Sequence, residues 1–254
     1  MMKRKHALII GGTKGIGHTL AHFFAREGCI VSVIGRSLPQ SRQRTSRMVH
    51  YWSCDLSDCQ KLFQTLDEIV QKRGKLNYAA FLQRFRGKGD EWSGEIETSL
   101  TATKKTIEYL VNNFDAREAS IVLVSSACAN LIAHDVPVSY HVAKTALVQM
   151  ARYYAVELGQ KSIRVNCVSP GTTLKEETKN HYLSDKRLLH FYQKLIPLGR
   201  MGTAREVAQA IGFLCSPSAS FITGQNLVVD GGVSIQWQET LAARLRYAHR
   251  TRKV

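Results

Sequence analysis

The stretch from His6 to Glu27 constrains the fold more than any other. His6-Ala-Leu-Ile-Ile is a short apolar run that stops at Gly11-Gly12-Thr13-Lys14-Gly15-Ile16-Gly17, and a helical pattern then continues through Glu27. An apolar run without polar alternation suits a parallel strand buried on both faces. Glycines in the turn that follows permit positive φ and let backbone N–H groups approach a phosphate, and the next helix brings the partial positive charge of its N-terminus. Strand, glycine turn and helix in this order predict a phosphate-cradling βα unit. The spacing, G-x-x-x-G-x-G, is wider than the G-x-G-x-x-G of the common dinucleotide fingerprint.

Further apolar runs near Ile30–Ile34, Leu76–Leu82, Ile121–Val124, Ile163–Val168 and Leu227–Val229 alternate with helix-like stretches. That alternation predicts an α/β fold, a parallel sheet covered by helices on both faces. At 254 residues, with no Pro/Gly/Ser-rich linker and no internal repeat, the chain reads as one domain with ample core. The basic start Lys3-Arg-Lys precedes too few apolar residues for a signal peptide or a membrane span, so a soluble, cytoplasmic protein is expected, with no membrane partner. Cys29, Cys54, Cys59, Cys128, Cys167 and Cys215 are scattered without a C-x-x-C, which predicts reduced, mostly buried thiols and no metal site.

A second feature lies far downstream. Tyr140 and Lys144, in Ser139-Tyr-His-Val-Ala-Lys-Thr, are four residues apart and share a helix face. A phenol ionises near pH ~10 and is a poor acid or base at neutral pH unless a nearby cation stabilises its phenolate. Lys144 supplies such a cation. Alone the pair also suits a solvated helix face; its weight comes from the glycine turn upstream.

Together these motifs resemble the short-chain dehydrogenase/reductase family. The resemblance runs from about His6 to Ile235 and includes Ile163-Arg-Val-Asn-Cys-Val-Ser-Pro-Gly171, Pro197-Leu-Gly-Arg-Met-Gly202 and Phe221-Ile-Thr-Gly-Gln-Asn-Leu-Val-Val-Asp-Gly-Gly232. It implies a doubly wound (Rossmann) seven-stranded parallel sheet with helices on both faces, the cofactor lying across the C-terminal strand ends. Residues 1–235 would form the NADP-binding domain, including a substrate lid at about 172–200 that reads equally as a surface helical pair, and residues 236–254 a basic tail. It also implies hydride transfer with a nicotinamide cofactor, held at Gly11, Thr13, Lys14, Gly15, Ile16 and Gly17, at Arg36 and Ser37 after the second strand, at Asp55 and Leu56 after the third, and at Pro170, Gly171, Thr172 and Thr173. Tyr140 and Lys144 would belong to the cofactor site as well as the catalytic one, the lysine gripping the nicotinamide ribose. Many relatives using the non-phosphorylated cofactor place a carboxylate after the second strand. Arg36 stands there instead, and with Lys14 it points to NADP(H), because a guanidinium pairs well with a phosphate. Asp55 has two readings, adenine contact or helix cap, and Asp58 is the stronger pure cap.

By the same resemblance the catalytic set is Ser126, Tyr140, Lys144 and Ser99, with Ser125 as fallback for Ser126 and a one-residue insertion placed in the loop Asn130 to Val138. His141 reads as structural. Ser99 stands where relatives carry the asparagine that holds a relay water. Two further departures are Phe81-Leu82-Gln83-Arg84 in place of Asn-Asn-Ala-Gly, and Lys175 in place of the threonine that bonds the carboxamide, a role Thr172 or Thr173 would then take.

The expected activity is NADPH-dependent reduction of a ketone or carbonyl to an alcohol with Tyr140 as proton donor, the substrate being a 3-oxoacyl, sugar or secondary-metabolite ketone. The competing reading is a catalytically weak or inactive NADP-binding relative, a redox sensor or scaffold. The net charge of +15 is clustered at Arg36, Arg42, Arg44 and Arg47, at Arg84, Arg86 and Lys88, and at Arg244, Arg246, Arg250, Arg252 and Lys253. The middle cluster hints at an anionic or carrier-linked substrate, and the last reads as a solvated terminus or a partner site. Nucleic acid is not expected as a partner, since charge alone speaks for it and no recognition motif accompanies it. The helices of Ser99–Tyr109 and Tyr140–Glu157 lie, by resemblance, where subunits pair, so a homodimer or homotetramer is expected, with Trp237, Leu241 and Leu245 of the tail at helical spacing and able to dock on a neighbour.

Overall fold

The structure, a computed structural model, describes residues 4–39, 46–115 and 118–250. Arg42, Arg44, Arg252 and Lys253 of the basic clusters lie outside the described residues. In chain order the elements are β1 (His6–Ile10), α1 (Gly15–Arg26), β2 (Ile30–Gly35), β3 (Val49–Ser53), α2 (Cys59–Arg73), β4 (Tyr78–Phe81), α3 (Glu91–Glu95), a π-helical turn (Ile96–Thr101), α4 (Ala102–Leu110), β5 (Ala119–Val124), α5 (Val138–Gly159), β6 (Ile163–Pro170), β7 (Thr173–Leu174), α6 (Glu176–Ser184), α7 (Lys186–Leu195), β8 (Gly202–Thr203), α8 (Ala204–Cys215), β9 (Asn226–Val229) and α9 (Gln238–Arg250).

Seven strands form one sheet in the order β3-β2-β1-β4-β5-β6-β9. Every pairing in it is parallel. This is the doubly wound arrangement expected from the sequence. The chain winds outward in one direction from β1 to β3, returns to β4 beside β1, and winds the other way, so the switch point lies between β1 and β4. At such a point the loops leaving neighbouring strands part and open a crevice at the carboxyl ends.

Two cores hold the layers. Within β1, Leu8 and Ile10 join Leu62, Leu66, Ile69, Ile107 and Leu147 on one face, and Ala7 and Ile9 join Leu20, Phe24, Val207 and Ile211 on the other. Side chains alternate across a strand, so a strand buried on both faces must be apolar throughout. His6 is the polar exception at the start of β1, and it is satisfied: Nε2 meets Ser32 Oγ at 2.8 Å and Nδ1 meets the Gly74 carbonyl at 3.0 Å. Helix ends follow local chemistry. Asp58 caps α2 by accepting from the Lys61 N–H at 2.9 Å, and Gly74, at φ +86°, ends it.

Three expectations are refined. The helix expected over Ser99–Tyr109 begins instead in the π-helical turn, with Ser99 inside it. Residues 176–195 form the helical pair α6 and α7. The tail folds as α9 and packs on α7 of its own chain, tied further by Gln236 Nε2 donating to the Leu195 carbonyl at 2.8 Å. Cys29, Cys54, Cys167 and Cys215 are buried, Cys59 and Cys128 are partly exposed, and all six are free thiols. Among the described residues no helix is long and apolar enough to cross a membrane, and no group of His, Cys, Asp and Glu is placed to hold a metal ion.

Candidate active site

A cleft of about 400 Å³ opens at the carboxyl ends of the strands. Its floor is the glycine turn. Gly11 has φ +82°, and a Cβ there would stand 2.6 Å from the Gln83 nitrogen; a Cβ at Gly17 would stand 2.4 Å from the Gly11 oxygen. Only glycine permits this packing of the turn on the segment after β4 and on the first turn of α1. Thr13, Lys14, Gly15 and Ile16 line the cleft with Gly11 and Gly17. Lys14 is the N-cap residue of α1 without capping through its side chain, so the helix presents unpaired N–H groups and an exposed ammonium at the same end.

The segments after β2 and β3 form one wall. Arg36, Ser37, Asp55 and Leu56 line it, together with Gly35 and Ser57. The guanidinium of Arg36 donates to the Arg86 carbonyl at 3.1 Å, and Ser53 Oγ donates to the Arg36 carbonyl at 2.9 Å. Asp55 accepts from Ser57 N–H at 3.1 Å and from Ser57 Oγ at 2.9 Å. These bonds hold its carboxyl below the usual range, with the Arg36 charge assisting. Asp58 performs the capping, so Asp55 is free of that duty.

The opposite end gathers Ser126, Tyr140 and Lys144. Tyr140 and Lys144 come from α5, and Ser126 follows β5. Lys144 is buried at 3% exposure, and its Nζ donates to the Val124 carbonyl at 3.1 Å. Burial lowers its pKa to about 8, with Glu95 opposing the drop and Arg84 and Lys175 adding to it. Burial pushes the Tyr140 phenol up, while the neighbouring Ser126 hydroxyl and the Arg84 charge pull the other way. Ser126 Oγ also accepts from the Cys128 N–H at 3.2 Å. Ser125 is committed elsewhere, donating to the Lys144 carbonyl at 2.6 Å. The two serines therefore differ: Ser126 lies beside the phenol and Ser125 braces α5. His141 is structural, accepting from the Ala133 N–H at 3.0 Å.

Pro170, Gly171, Thr173 and Lys175 close the cleft beside β6. Thr172 is absent from the lining and lies beside Tyr192 of α7 instead. Ser99 is not in the lining either. It is buried behind the wall, where its hydroxyl donates to Glu95. Glu95, 3% exposed, accepts in turn from the Phe85 N–H at 3.0 Å. A second buried string runs from Gln83 Nε2 to Thr103 Oγ1 at 2.7 Å and from Thr103 Oγ1 to the Ser99 carbonyl at 2.7 Å. Gln83 Oε1 has no partner among the described residues, and Gln83 lines the cleft. Glu95 and Thr103 were not foreseen from the sequence. Their placement depends on the π-helical turn, which no composition or spacing signal announces.

Arg84 takes the position beyond Gln83. Its guanidinium carbon lies 5.0 Å from the centroid of the Tyr140 ring, and Lys144 Nζ lies 5.3 Å from the same centroid. Two cations thus lie close to the Tyr140 ring.

Comparison with known proteins agrees with this arrangement. A family model described as enoyl-(acyl carrier protein) reductase matches residues 11–234. Similar proteins include a 3-oxoacyl-[acyl-carrier-protein] reductase of Chlamydia trachomatis, 31% identical over 92% of this chain and 99% of the relative. The rat 3-oxoacyl-[acyl-carrier-protein] reductase is 31% identical over 91% and 98%, and a tropinone reductase homologue of Arabidopsis thaliana 29% identical over 92% of each. Among solved structures, the 3-oxoacyl-[acyl-carrier protein] reductase of Brucella melitensis superposes with TM-score 0.80 at 26% identity over 92% of each chain. The aldohexose dehydrogenase of Thermoplasma acidophilum shares the fold with TM-score 0.81 at 24% identity, over 92% of this chain and 96% of that one. With the family model spanning nearly the whole chain and the sheet order, glycine turn and Tyr140–Lys144 pair all in place, the protein belongs to the short-chain dehydrogenase/reductase family of oxidoreductases.

Proposed function

We propose that the protein is an NADPH-dependent reductase that converts a ketone to a secondary alcohol. The observation that carries this reading is that Ser126, Tyr140 and Lys144 share one cleft with the glycine turn. The cleft fits a dinucleotide on its own terms. Gly11 and Gly17 leave backbone where a Cβ would clash, and Gln83, which lines the cleft, keeps a buried Oε1 without a partner among the described residues. Lys14 and Arg36 put two cations where a ribose phosphate would lie, which favours NADP(H) over NAD(H).

The nicotinamide, when bound, supplies hydride to the carbonyl carbon. Everything else falls to the chain. Ser126 Oγ donates to the carbonyl oxygen as negative charge develops on it. Tyr140 gives that oxygen a proton, acting as general acid in reduction and as general base in the reverse direction. Lys144, a cation held by the Val124 carbonyl, stabilises the phenolate that remains. Thr173 Oγ1, which donates to the Gly171 carbonyl at 3.0 Å, and Pro170 and Gly171 shape the floor on which the reacting ring would rest. Ser99 does not line the cleft and bears on it through Glu95 and, by its carbonyl, through Thr103 and Gln83.

The relatives named above bring 3-oxoacyl thioesters and ketones of the tropinone kind into the substrate range. A homodimer or homotetramer completes the proposal. Its support is the exposure of Val142, Tyr153 and Val156 on α5, and of Phe221 and Val228 by the edge strand β9. NADPH oxidation measured against a panel of neutral and acidic ketones tests the reading. Turnover of at least one ketone is expected; tight NADPH binding with no turnover of any would favour a cofactor-binding sensor instead. Sedimentation at micromolar concentration checks the assembly, and a monomer would count against it.

A further inference from the structure

Among the positions where this chain departs from the family pattern at the reacting end of the cleft, Arg84 and Lys175 carry positive charge. Arg84 replaces a small residue after β4, and Lys175 replaces a neutral one after β7; each lines the cleft, and each bears electrostatically on Lys144. The reacting end therefore holds the guanidinium of Arg84 and the ammonium groups of Lys144 and Lys175. Glu95 is the carboxylate that acts on Tyr140 and Lys144 there, and it is buried behind the wall, spent on Ser99 and the Phe85 N–H. Arg84 forms no ion pair among the described residues. The Arg84 and Lys144 charges act on each other in a partly desolvated cleft, which is unfavourable until an anion joins them.

Resting on the reductase reading above, we infer that Arg84, aided by Lys175, forms an anion subsite that selects a compact keto acid, a ketone bearing its own carboxylate close to the carbonyl. Distance decides between this class and a carrier-linked thioester. The guanidinium carbon is 5.0 Å from the Tyr140 ring centroid, so it lies within about 8 Å of the phenol oxygen. The carbonyl oxygen bonds that phenol, and the anion bonds the guanidinium, each at ~3 Å. What remains for the substrate is a span of about two or three bonds between carbonyl carbon and charge. A 2- or 3-oxo acid meets that span. A 3-oxoacyl thioester places a neutral sulfur ester there, and the charges of its carrier protein stay outside the cleft. Glu95 positions the subsite: its carboxylate holds the Phe85 N–H, next to Arg84, and so fixes the segment that sets the guanidinium over Tyr140.

The test compares 3-oxobutyrate with its methyl ester as substrates for the full chain with NADPH, in wild type, Arg84→Ala and Arg84→Lys. A second measurement follows the melting temperature of the NADP⁺-saturated proteins as malonate is added. The wild type should prefer the acid by about 10- to 100-fold in kcat/KM, the scale of a charge-assisted contact. That ratio should fall toward one in Arg84→Ala and lie between in Arg84→Lys, which keeps charge but loses the two-pronged fork. Malonate should raise the melting temperature of the wild type and not of Arg84→Ala. An ester or thioester preferred by the wild type, an acid preference that survives Arg84→Ala, or a malonate effect indifferent to Arg84 would overturn the subsite. Malonate binding through Arg84 without turnover of any ketone would keep the subsite and sink the reductase reading, whereas turnover of neutral ketones with no malonate effect would do the reverse.

Discussion

The Lys144 ammonium donates to the Val124 carbonyl at 3.1 Å, across from the last turn of sheet before Ser125 and Ser126. One backbone acceptor is modest compensation for a charge buried at 3% exposure. Burial accordingly brings its pKa down to about 8, and the Glu95 charge is the largest influence opposing that fall. The same ammonium is asked to steady the Tyr140 phenolate, so its charge state should govern the reaction.

A pH profile follows from the signs. Reduction needs Tyr140 protonated and Lys144 charged. Burial raises the phenol, so the tyrosine stays protonated on the alkaline side. Lys144 loses its proton as pH rises through about 8, and kcat/KM for reduction should fall there. Glu95→Gln removes the charge that holds Lys144 up, and the alkaline limb should move to lower pH. An alkaline limb that does not move in Glu95→Gln would mean that another group controls it.

Tyr140→Phe should lower turnover by ~10²- to ~10⁴-fold, the usual loss of a general acid, while NADPH affinity stays close to wild type because the ring remains. Lys144→Ala should damage both, since the ammonium would also reach the cofactor's ribose. Stopped-assay turnover paired with fluorescence titration of NADPH separates the two outcomes. A Tyr140→Phe protein with most of its activity intact would place the proton donor elsewhere.

Arg36 should set cofactor choice. Its guanidinium lines the cleft, and its bond to the Arg86 carbonyl leaves other N–H donors for a phosphate. Arg36→Asp should narrow or reverse a preference for NADPH over NADH, because a carboxylate repels the phosphate and accepts from ribose hydroxyls. Equal affinity of the wild type for both cofactors would contradict the assignment.

Much of this was legible in the residues themselves. Strands with both faces buried are largely apolar, which exposed β1 and the Ile121–Val124 run of β5 in the sequence, and a close-packed glycine turn has few other uses than cradling a ligand. Tyr140 and Lys144 were readable because one helix fixes their spacing. Ser99 was harder. Its position in sequence matched a family relay, but the π-helical turn points it at Glu95 and away from the cleft. Thr172 likewise follows the chain direction after β6 toward Tyr192, leaving Thr173 to face the cleft. Neither Glu95 nor Thr103 carries a local signal, since their roles arise from contacts between segments far apart in sequence.

Arg164 joins β6 to the end of α8, and its loss should be felt in stability more than in chemistry. Nη1 donates to the carbonyls of Leu214 at 2.7 Å and Ile222 at 3.3 Å, and Nη2 to those of Cys215 at 3.1 Å and Ser216 at 3.2 Å. The last carbonyls of a helix have no partner within it, and a cation there also complements the negative end of the dipole. Arg164→Ala leaves the Cys215 carbonyl without its donor, while Ser120 Oγ still serves Leu214, Asn166 Nδ2 still serves Ile222 and the Ala219 N–H still serves Ser216, at a cost of about 1–3 kcal/mol. Arg164→Lys should recover part of it, since one ammonium cannot span four acceptors. For a domain of this size the loss would lower the melting temperature by roughly 2–12 °C. Arg164 sits near the start of β6, while Pro170 and Gly171 reach the cleft at its far end. Cofactor affinity measured well below the melting transition should therefore match wild type. A protein that keeps its melting temperature without Arg164 would show that water replaces the guanidinium, and that α8 is held by its packing on α1 and the sheet.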